Sequence, residues 1–394
     1  MFDVRERARA LQEQIVSWRR ALHATPEIGL EAPVTERFIV DELAKMGVDS
    51  IVHGGGKHGI TALIKGGRPG GVLGIRADYD ALRITEDTGL PFAATNGNMH
   101  ACGHDAHAAM LLGTARLLLD CREELPGSVK LIFQPSEEDG KGADAMIRDG
   151  VMEDPAVDSV IGLHTGNLWK GFKHGEVGYR FGALMAAADW FKVTFSGKGG
   201  HGATPHLTID PLAMAAQAVI MLQQIVSREV NPFDPAVVTV GMIHGGAMPN
   251  IIAQECVIEG TIRCMSQSVR DHITKRIHEI CEEAARALRG SALVSFGAGT
   301  PPVLNDRAVT EDLKRAMEDI VGAENVHEVE EPTMGAEDMA LFLERAPGSF
   351  FFLPALFDDE SRNFPHHHPK FDLNEEVFWI GPAVMAHYAL TRRQ

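Results

Sequence analysis

Short apolar segments that alternate with helical patterns, at both ends of the chain, constrain the fold more than any other feature of the sequence. Their largely apolar character, between Gly, Pro or acidic turns, predicts strands that are buried on both faces. In the first half of the chain these segments are residues 72–75, 129–133 and 157–163. Residues 105–119 between them have helical spacing, and a helix near 306–320 and a buried strand at 349–353 follow later. Helices that alternate with buried strands predict an α/β sheet.

The middle of the chain has a different pattern, in which strands alternate apolar and polar residues. The predicted order is strand, helix, strand, strand, helix, strand, at residues 189–196, 210–226, 237–243, 255–263, 268–288 and 292–296. This is the order of a ferredoxin-like unit, which can fold as an insertion. A chain of 394 residues is also too long for one ordinary core. We therefore expect a mixed-sheet α/β/α catalytic domain formed by residues 1–183 and 298–394, and an inserted ferredoxin-like α+β domain at 184–297.

Charge and cysteine content exclude several classes of function. Asp and Glu (54) outnumber Lys and Arg (37), giving a formal net charge of −17, whereas nucleic-acid binding requires a basic surface. No segment approaches the roughly 18 uninterrupted apolar residues of a membrane helix. The first 20 residues alternate charged and apolar residues, which predicts an amphipathic helix rather than a signal peptide. Five cysteines without a CxxC pair predict reduced thiols and a cytoplasmic location.

The strongest chemical signal is the sequence MHACGHDAH at residues 99–107, at the start of the predicted helix. Thiolate and imidazole groups such as Cys102, His104 and His107 are good ligands for zinc and similar metals. A helix N-terminus also favours the ionised form of Cys102. A lone histidine is more often an ordinary core or surface residue, but burying so many titratable groups without a partner is costly. The cluster therefore predicts a metal site.

Other polar residues lie where the predicted strands end, which is where sites form in open α/β sheets. Glu137 and Glu138 follow an apolar strand that Pro135 interrupts. Such a pair is usually a solvated turn, but here one carboxylate could hold metal while the other handles protons. The remaining groups at strand ends or near the C-terminus are Asp78, Asp80, His164 and one of His366 to His368. Sulfur, nitrogen and oxygen ligands would come from Cys102, His104, Glu138, His164 and one of these C-terminal histidines, which with a bridging ligand is enough for two metal ions.

Several common motifs do not apply to this chain. Residues 54–59 and 197–202 fit GxGxxG, but neither leads into a helix or is followed by the acidic residue of a dinucleotide site. Both are interpreted as turns. The sequence contains no HExxH, GxSxG or GxxxxGK[ST] motif, which removes the zincin, serine hydrolase and P-loop interpretations.

Six segments together resemble the M20 metallopeptidase family, in particular its aminoacylase and hippurate-hydrolase-like subgroup. They are RADYDAL at 76–82, MHACGHD at 99–105, FQPSEE at 133–138, GKGGHGA at 197–203, GTIR at 260–263 and MGAED at 334–338. The resemblance covers nearly the whole chain, and MHACGHD is highly specific to the subgroup. Tyr79, Arg83 and residues 165–172 depart from the family pattern. These departures leave the expected metal chemistry intact but make the acyl group and side chain of the substrate uncertain.

The resemblance implies a role for each matching residue. The expected ligands of two divalent ions (Zn, Mn, Ni or Co) are Cys102, which bridges them, His104, Glu138, His164 and His367. Glu137 matches the general base, and Asp80 and His107 would support the ligands. His201 matches a histidine that stabilises the oxyanion, in several relatives from the partner subunit of a dimer. Asn250 and Arg263 match residues that bind the substrate's carboxylate.

The expected function is metal-dependent hydrolysis of the amide bond of a small N-acyl amino acid. The inserted domain would act as a lid and as the interface of a homodimer or higher homo-oligomer, and no nucleic acid or membrane is involved. The same site could serve a dipeptidase or carboxypeptidase. Two further alternatives stay open: a thiol amidase with Cys102 as nucleophile and His104 or His107 as base, and a metal-binding protein without catalysis.

Overall fold

The computed structural model describes residues 2–393. Its α-helices are α1 Val4–Ala10, α2 Gln12–His23, α3 Pro33–Met46, α4 His104–Asp120, α5 Gly142–Arg148, α6 Pro211–Gln224, α7 Gln267–Ala287, α8 Arg307–Val321, α9 Met339–Leu343 and α10 Ile380–Thr391. Its strands are β1 Ser50–Gly55, β2 Gly59–Lys65, β3 Arg68–Asp78, β4 Pro126–Gln134, β5 Ser159–Gly166, β6 Val177–Tyr179, β7 Gly182–Met185, β8 Ala187–Ser196, β9 Gly200–His201, β10 Ala236–Gly245, β11 Ile251–Ile252, β12 Glu255–Cys264, β13 Ser291–Phe296, β14 Val303–Asn305, β15 Val326–Glu328 and β16 Gly348–Pro354.

The chain folds into two compact units. The first comprises Met1–Leu184, Val303–Thr333 and Glu337–Gln394, and the second comprises Met185–Pro302 and Met334–Ala336. Each unit has its own hydrophobic core. Among residues 2–393, no helix combines the length and the apolar character needed to cross a membrane.

The first unit contains a mixed eight-stranded sheet in the order β1-β2-β4-β3-β5-β16-β6-β15. Its central strands β4, β3, β5 and β16 are parallel, so their carboxyl ends meet at one edge of the sheet. Helix α4 is buried over nearly its whole length and packs against β3, α2 and α10. Its alanine-rich sequence, apolar on all sides, is typical of a helix enclosed in a core. The polar residues singled out from the sequence lie at the start of α4 and at the carboxyl ends of the central strands, so the fold brings them to the same edge of the sheet.

The second unit contains an antiparallel four-stranded sheet in the order β10-β12-β8-β13, with α6 and α7 packed against it. The chain order strand, helix, strand, strand, helix, strand and this spatial order together make the unit ferredoxin-like, as predicted. Helix α6 begins as its sequence indicates, because Asp210 accepts a hydrogen bond from the Leu212 N–H and Pro211 occupies the first turn. Strands β9 and β11 form a separate two-stranded ribbon.

Two details of the sequence prediction were wrong. The single amphipathic helix expected over residues 1–20 consists of α1 and α2, which meet at Leu11. The backbone of Leu11 remains in the right-handed region (φ −90°, ψ −4°), so the apolar face continues across the interruption and the pattern alone does not reveal it. The strand that contains His164 spans Ser159–Gly166, whereas the apolar pattern placed it at residues 157–163.

Candidate metal centre

The start of α4 holds two of the predicted ligands, Cys102 and His104, on either side of Gly103. This glycine adopts a left-handed conformation (φ 88°), and a Cβ atom there would lie 3.2 Å from a methyl carbon of Leu373 and 3.4 Å from one of Thr165. Only glycine meets both requirements without strain. The glycine thus determines how the sulfur and the imidazole enter the centre.

The ends of two central strands supply the next groups. Beyond β4 the chain turns at Ser136, which has a positive φ of 62°. The following Glu138 donates its backbone N–H to Asp80 Oδ2 at 3.1 Å, so Asp80 holds the glutamate segment against the end of β3. His164 lies in β5, parallel to β3.

The five predicted ligands come together within the first unit. The candidate ligand atoms of Cys102, His104 and His164 all lie within 4.8 Å of one another, as do those of Cys102, Glu138 and His367. The two groups share the Cys102 sulfur. It lies 3.6 Å from His164 Nε2, while His367 Nε2 lies 3.4 Å from Glu138 Oε1.

Hydrogen bonds separate histidines that can bind a cation from those that cannot. The Nδ1–H of His164 donates to the backbone oxygen of Thr165 at 2.9 Å, which leaves the lone pair of Nε2 free beside Cys102. His104 has Nδ1 at 3.3 Å from Asp80 Oδ1, and its buried Nε2 has no hydrogen-bond partner. Both rings therefore present Nε2 as a ligand atom.

His107 and His366 have the opposite arrangement. The backbone N–H of Thr165 donates to His107 Nε2 at 2.9 Å, and that of Asn167 donates to His366 Nε2 at 3.1 Å. Neither Nε2 is available to a metal. The Nδ1–H of His107 donates to Asp78 Oδ1 at 2.5 Å, so His107 connects the ends of β3 and β5. Asp78 was noted in the sequence, but this contact was not anticipated.

The residues present fit divalent cations. His104 Nε2 and Glu138 Oε1 are buried without a hydrogen-bond partner, which is costly unless another group interacts with them. Thiolate, imidazole and carboxylate donors together suit zinc and related transition metals. Against the effect of burial, the charge of Asp78 raises the pKa of His104 well above its ordinary value. A proton and a cation would therefore compete for this ring.

The adjacent glutamates have different electrostatic surroundings. Burial, followed by the charges of Glu337 and Asp338, raises the pKa of Glu137 well above its ordinary value. For Glu138, burial is outweighed by the nearby imidazole of His367, whose Nε2 lies 3.4 Å from Oε1, and by the charge of His104, which lower its pKa. Opposite shifts in neighbouring carboxyl groups are typical of a pair in which one transfers protons and the other stays ionised.

Arg76 is a buried cation whose role the sequence did not suggest. Its guanidinium contacts Asp78 at 2.9 Å, Glu337 at 2.9 Å and Asp338 at 2.8 Å, while its Nε donates to Gln134 at 2.8 Å. The Asp338 N–H in turn donates to Glu137 Oε1 at 3.3 Å. The positive charge of Arg76 thus compensates three carboxylates, one of which belongs to Asp338, the residue that binds Glu137 through its backbone N–H. An arginine inside an otherwise apolar strand was the available signal.

At Cys102, burial opposes the effect of the helix N-terminus. Burial, followed by the charge of Glu138, raises the pKa of its thiol well above the ordinary value. Desolvation outweighs the helix dipole here because Cys102 is almost completely enclosed. The protein groups alone therefore do not make Cys102 a nucleophile.

The remaining predicted residues lie in the second unit. His201 and Asn250 are neighbours at the β9–β11 ribbon, where the Gly202 N–H donates to the Asn250 oxygen at 2.8 Å. The Ala203 N–H donates to His201 Nδ1 at 3.0 Å, so the Nε2 of the neutral ring carries the hydrogen. Arg263 lies on β12 over the ring of Trp190, and the only side-chain hydrogen bond that it forms among the described residues goes to the Ile262 backbone oxygen.

Comparison with known proteins gives the family. The sequence profile of peptidase family M20/M25/M40 matches residues 74–391. The chain belongs to this family. An N-acetyl-L-cysteine deacetylase of Bacillus subtilis (strain 168) is 41% identical over 367 residues, which are 93% of this chain and 85% of that protein. Thermostable carboxypeptidase 1 of Saccharolobus solfataricus is 36% identical over 392 residues, 98% of this chain and 96% of that protein.

The M20 fold is also shared with solved structures. A dinuclear metal-binding M20 peptidase of Bacillus subtilis has a TM-score of 0.82 and 32% identity, and the match covers 97% of this chain and 98% of that one. The resemblance stated from the sequence is thereby confirmed, as are the fold class and the prediction of a metal-dependent hydrolase. The M20 chain also has candidate clusters for metal ligands.

Proposed function

We propose that this M20 protein hydrolyses the amide bond of small N-acyl amino acids at a centre of two divalent cations. The observation that carries the proposal is the convergence of five donor groups from separate segments beside Glu137. Two sets of three ligand atoms share the Cys102 sulfur, which supports a bridging thiolate. The ligand set is Cys102, His104, Glu138, His164 and His367.

Bound cations would supply Lewis acidity, polarising the scissile carbonyl and making the attacking water more acidic. Glu137 takes the proton of that water and delivers it to the departing amine nitrogen. Its raised pKa suits both steps, since a general base works best when its pKa is near the working pH. The backbone N–H of Asp338 orients the carboxylate.

Residues of the inserted domain, 184–297, are proposed to act on the substrate. The Nε2–H of His201 would donate to the developing oxyanion, since the Ala203 N–H fixes the required tautomer. Asn250 and Arg263 would bind the free carboxylate. Arg263 suits this role because it is half-buried and forms no ion pair among residues 2–393. A bound carboxylate selects substrates with a free amino-acid end.

The inserted domain is also proposed to form a homodimer or higher homo-oligomer. Strand β10 is an exposed edge of the four-stranded sheet, with Met242 46% and Ile243 52% exposed. On α6, Ile220 is 64% exposed. An edge strand and a helix that both expose apolar side chains are typical of an interaction surface.

The cysteine pattern and the absence of disulfides among the described residues support the proposal of a cytoplasmic location.

A substrate screen tests the proposal. Purified protein, separately reconstituted with Zn²⁺, Mn²⁺, Ni²⁺ and Co²⁺, is incubated with N-acetyl amino acids, N-benzoyl amino acids and dipeptides, and the released amine is measured. We expect turnover of N-acyl amino acids that EDTA abolishes. Turnover that survives EDTA would instead favour Cys102 as nucleophile, an alternative to which its raised thiol pKa is unfavourable.

A second candidate function is carboxypeptidase or dipeptidase activity. It is favoured by one observation, the 36% identity to a thermostable carboxypeptidase over 98% of this chain. The same centre would cleave either amide. Faster release of a C-terminal amino acid from peptides than from N-acyl amino acids, at equal concentration, would decide for this candidate. Loss of catalysis is not supported, because Glu137 and all five donor residues are present.

A further inference from the structure

His366 is a histidine at the centre that the proposed function does not use. Its ring lies against two others, at centroid distances of 5.2 Å from His164 and 4.6 Å from Phe371. Gly166 makes this position possible, since a Cβ atom there would lie 2.3 Å from His366 Nε2. The ring is thus held closely on several sides.

The hydrogen-bond partners of His366 determine its tautomer. The backbone N–H of Asn167 donates to Nε2 at 3.1 Å. Asn167 is fixed in turn, because its side-chain amide donates to the Phe364 oxygen at 2.5 Å. A ring nitrogen that accepts an N–H cannot carry a hydrogen, so the hydrogen of the neutral ring is on Nδ1. That Nδ1 lies 3.5 Å from the sulfur of Cys102.

We propose that His366 is a positioning residue of the metal centre, which donates its Nδ1–H to the sulfur of Cys102. The inference rests on the proposed function in one respect, since it requires Cys102 to bind the cations as a thiolate. A hydrogen bond to a thiolate withdraws electron density from the sulfur and fixes its orientation. Hydrogen bonds of this kind tune metal–sulfur centres and orient their ligands.

The arrangement parallels that of His107. Both rings accept a backbone N–H on Nε2 and direct Nδ1–H to a side chain at the candidate metal centre, Asp78 in one case and Cys102 in the other. The two acceptors differ in their relation to the metal. Asp78 is outside the proposed ligand set, whereas the Cys102 sulfur is the ligand atom shared by the two groups Cys102/His104/His164 and Cys102/Glu138/His367. The backbone of Cys102 also lies within reach of the same Nδ1–H, so the test must separate two acceptors.

Absorption spectroscopy of the Co²⁺-substituted protein distinguishes a hydrogen bond to the Cys102 sulfur from one to the Cys102 backbone oxygen. The unmodified chain, His366→Leu, His366→Asn and the control His368→Leu are compared, and Cys102→Ser identifies the thiolate-to-Co²⁺ charge-transfer band by its loss. His368 is a suitable control because its ring stacks on Phe364 and its Nδ1 accepts the Lys370 N–H. We expect the band to move to longer wavelength in His366→Leu, since a sulfur without the hydrogen bond gives up its electron more easily. In His366→Asn the side-chain N–H can replace Nδ1–H, so the band should stay near its original position, as in His368→Leu.

Three other outcomes would overturn the inference. An unchanged band in His366→Leu would mean that Nδ1–H serves the Cys102 carbonyl instead of the sulfur. A change in the ligand-field bands, which report the number of Co²⁺ ligands, would mean that His366 is itself a ligand. No thiolate band in the unmodified protein would overturn the proposed centre as well, so the failure of the two proposals can be told apart.

Discussion

At the scale of single residues, the proposed reaction depends on Glu137, whose replacement by glutamine gives the first prediction. Glutamine keeps the size of the side chain but cannot accept a proton. We expect Glu137→Gln to retain its bound metal and to lose activity by about 10²-fold or more, the range of general-base catalysis. Metal content is measured by elemental analysis and kcat with the best N-acyl substrate. Asp144→Asn, an exposed carboxylate on α5, is the control. Full activity of Glu137→Gln would contradict the assignment of the base.

A second prediction concerns the buried His23. Its Nδ1 lies 2.7 Å from Asp105, the residue after His104, and its Nε2 lies 3.1 Å from Glu86. Against the effect of burial, Asp105 raises the pKa of His23 above its ordinary value. A raised folded-state pKa means that the stabilisation is fully present below the unfolded pKa of about 6.5 and is lost as pH rises through the folded value. We expect His23→Gln to cost about 1.5–3 kcal/mol at pH 6 and progressively less at higher pH.

The measurement is the difference in Tm between the unmodified protein and His23→Gln, at a series of pH values from 6 upward and at constant metal content. His53→Gln is the matched control, since His53 also faces a carboxylate, Glu36 at 3.0 Å, but its side chain is 61% exposed. An exposed pair contributes little. A Tm difference for His23→Gln that grows with pH would contradict the prediction.

At the same scale, the sequence indicated donor atoms better than it indicated their partners. Cys102, His104 and His164 could be singled out because their residue types and their places at strand or helix ends are visible in the sequence. Residue type and position alone did not distinguish His366 from His367, and only the family resemblance selected His367, because the Asn167 N–H that occupies His366 Nε2 comes from a distant segment. Arg76 was quoted as part of a motif, but its three carboxylate partners come from both ends of the chain.

At the scale of elements, the third prediction concerns Gly103 at the start of α4. Alanine there costs about 1–2 kcal/mol for its left-handed backbone and contacts Leu373 and Thr165 closely. Because Gly103 joins Cys102 to His104, we expect Gly103→Ala also to weaken metal binding by about 10-fold or more. Affinity is measured by competition with a chelator, and Tm on the metal-free protein.

The matched control for this prediction is Gly47→Ala at the C-terminus of α3. Gly47 has a similar positive φ (78°) but no atom within 4 Å of the added Cβ. It should lower Tm by the backbone cost alone and leave metal affinity unchanged. Equal metal affinity in both variants would show that Gly103 does not determine how the ligands are held.

Elements were predictable from the sequence where one periodicity dominated. The strand at 129–133 and the helix at 105–119 lie within β4 and α4, because both segments are largely buried and predominantly apolar. Short strands such as β6 and β15 were not foreseen, since three residues carry too little pattern. Their pairing depends on contacts between residues about 150 positions apart in the chain.

At the scale of the whole molecule, the proposed roles of Glu137 and His201 lead to the last prediction. If a histidine of one subunit completes the centre of the other, Glu137→Gln and His201→Ala are each inactive as homodimers. Co-expressed, they form mixed dimers in which one of the two centres has both groups. We expect about a quarter of the unmodified activity, because half of the dimers are mixed and each has one intact centre.

Sedimentation and a third substitution make this prediction decisive. Ile220→Glu places a charge on an exposed apolar position of α6 and is expected to convert the oligomer to monomers, whereas Val52→Glu, at a position on β1 that is equally exposed (64%), should not. Added to the co-expressed pair, Ile220→Glu should remove the restored activity, because separated subunits cannot share a histidine. Activity of His201→Ala alone near the unmodified level would exclude His201 from the reaction. Activity of monomeric Ile220→Glu near that level would place His201 in the centre of its own subunit.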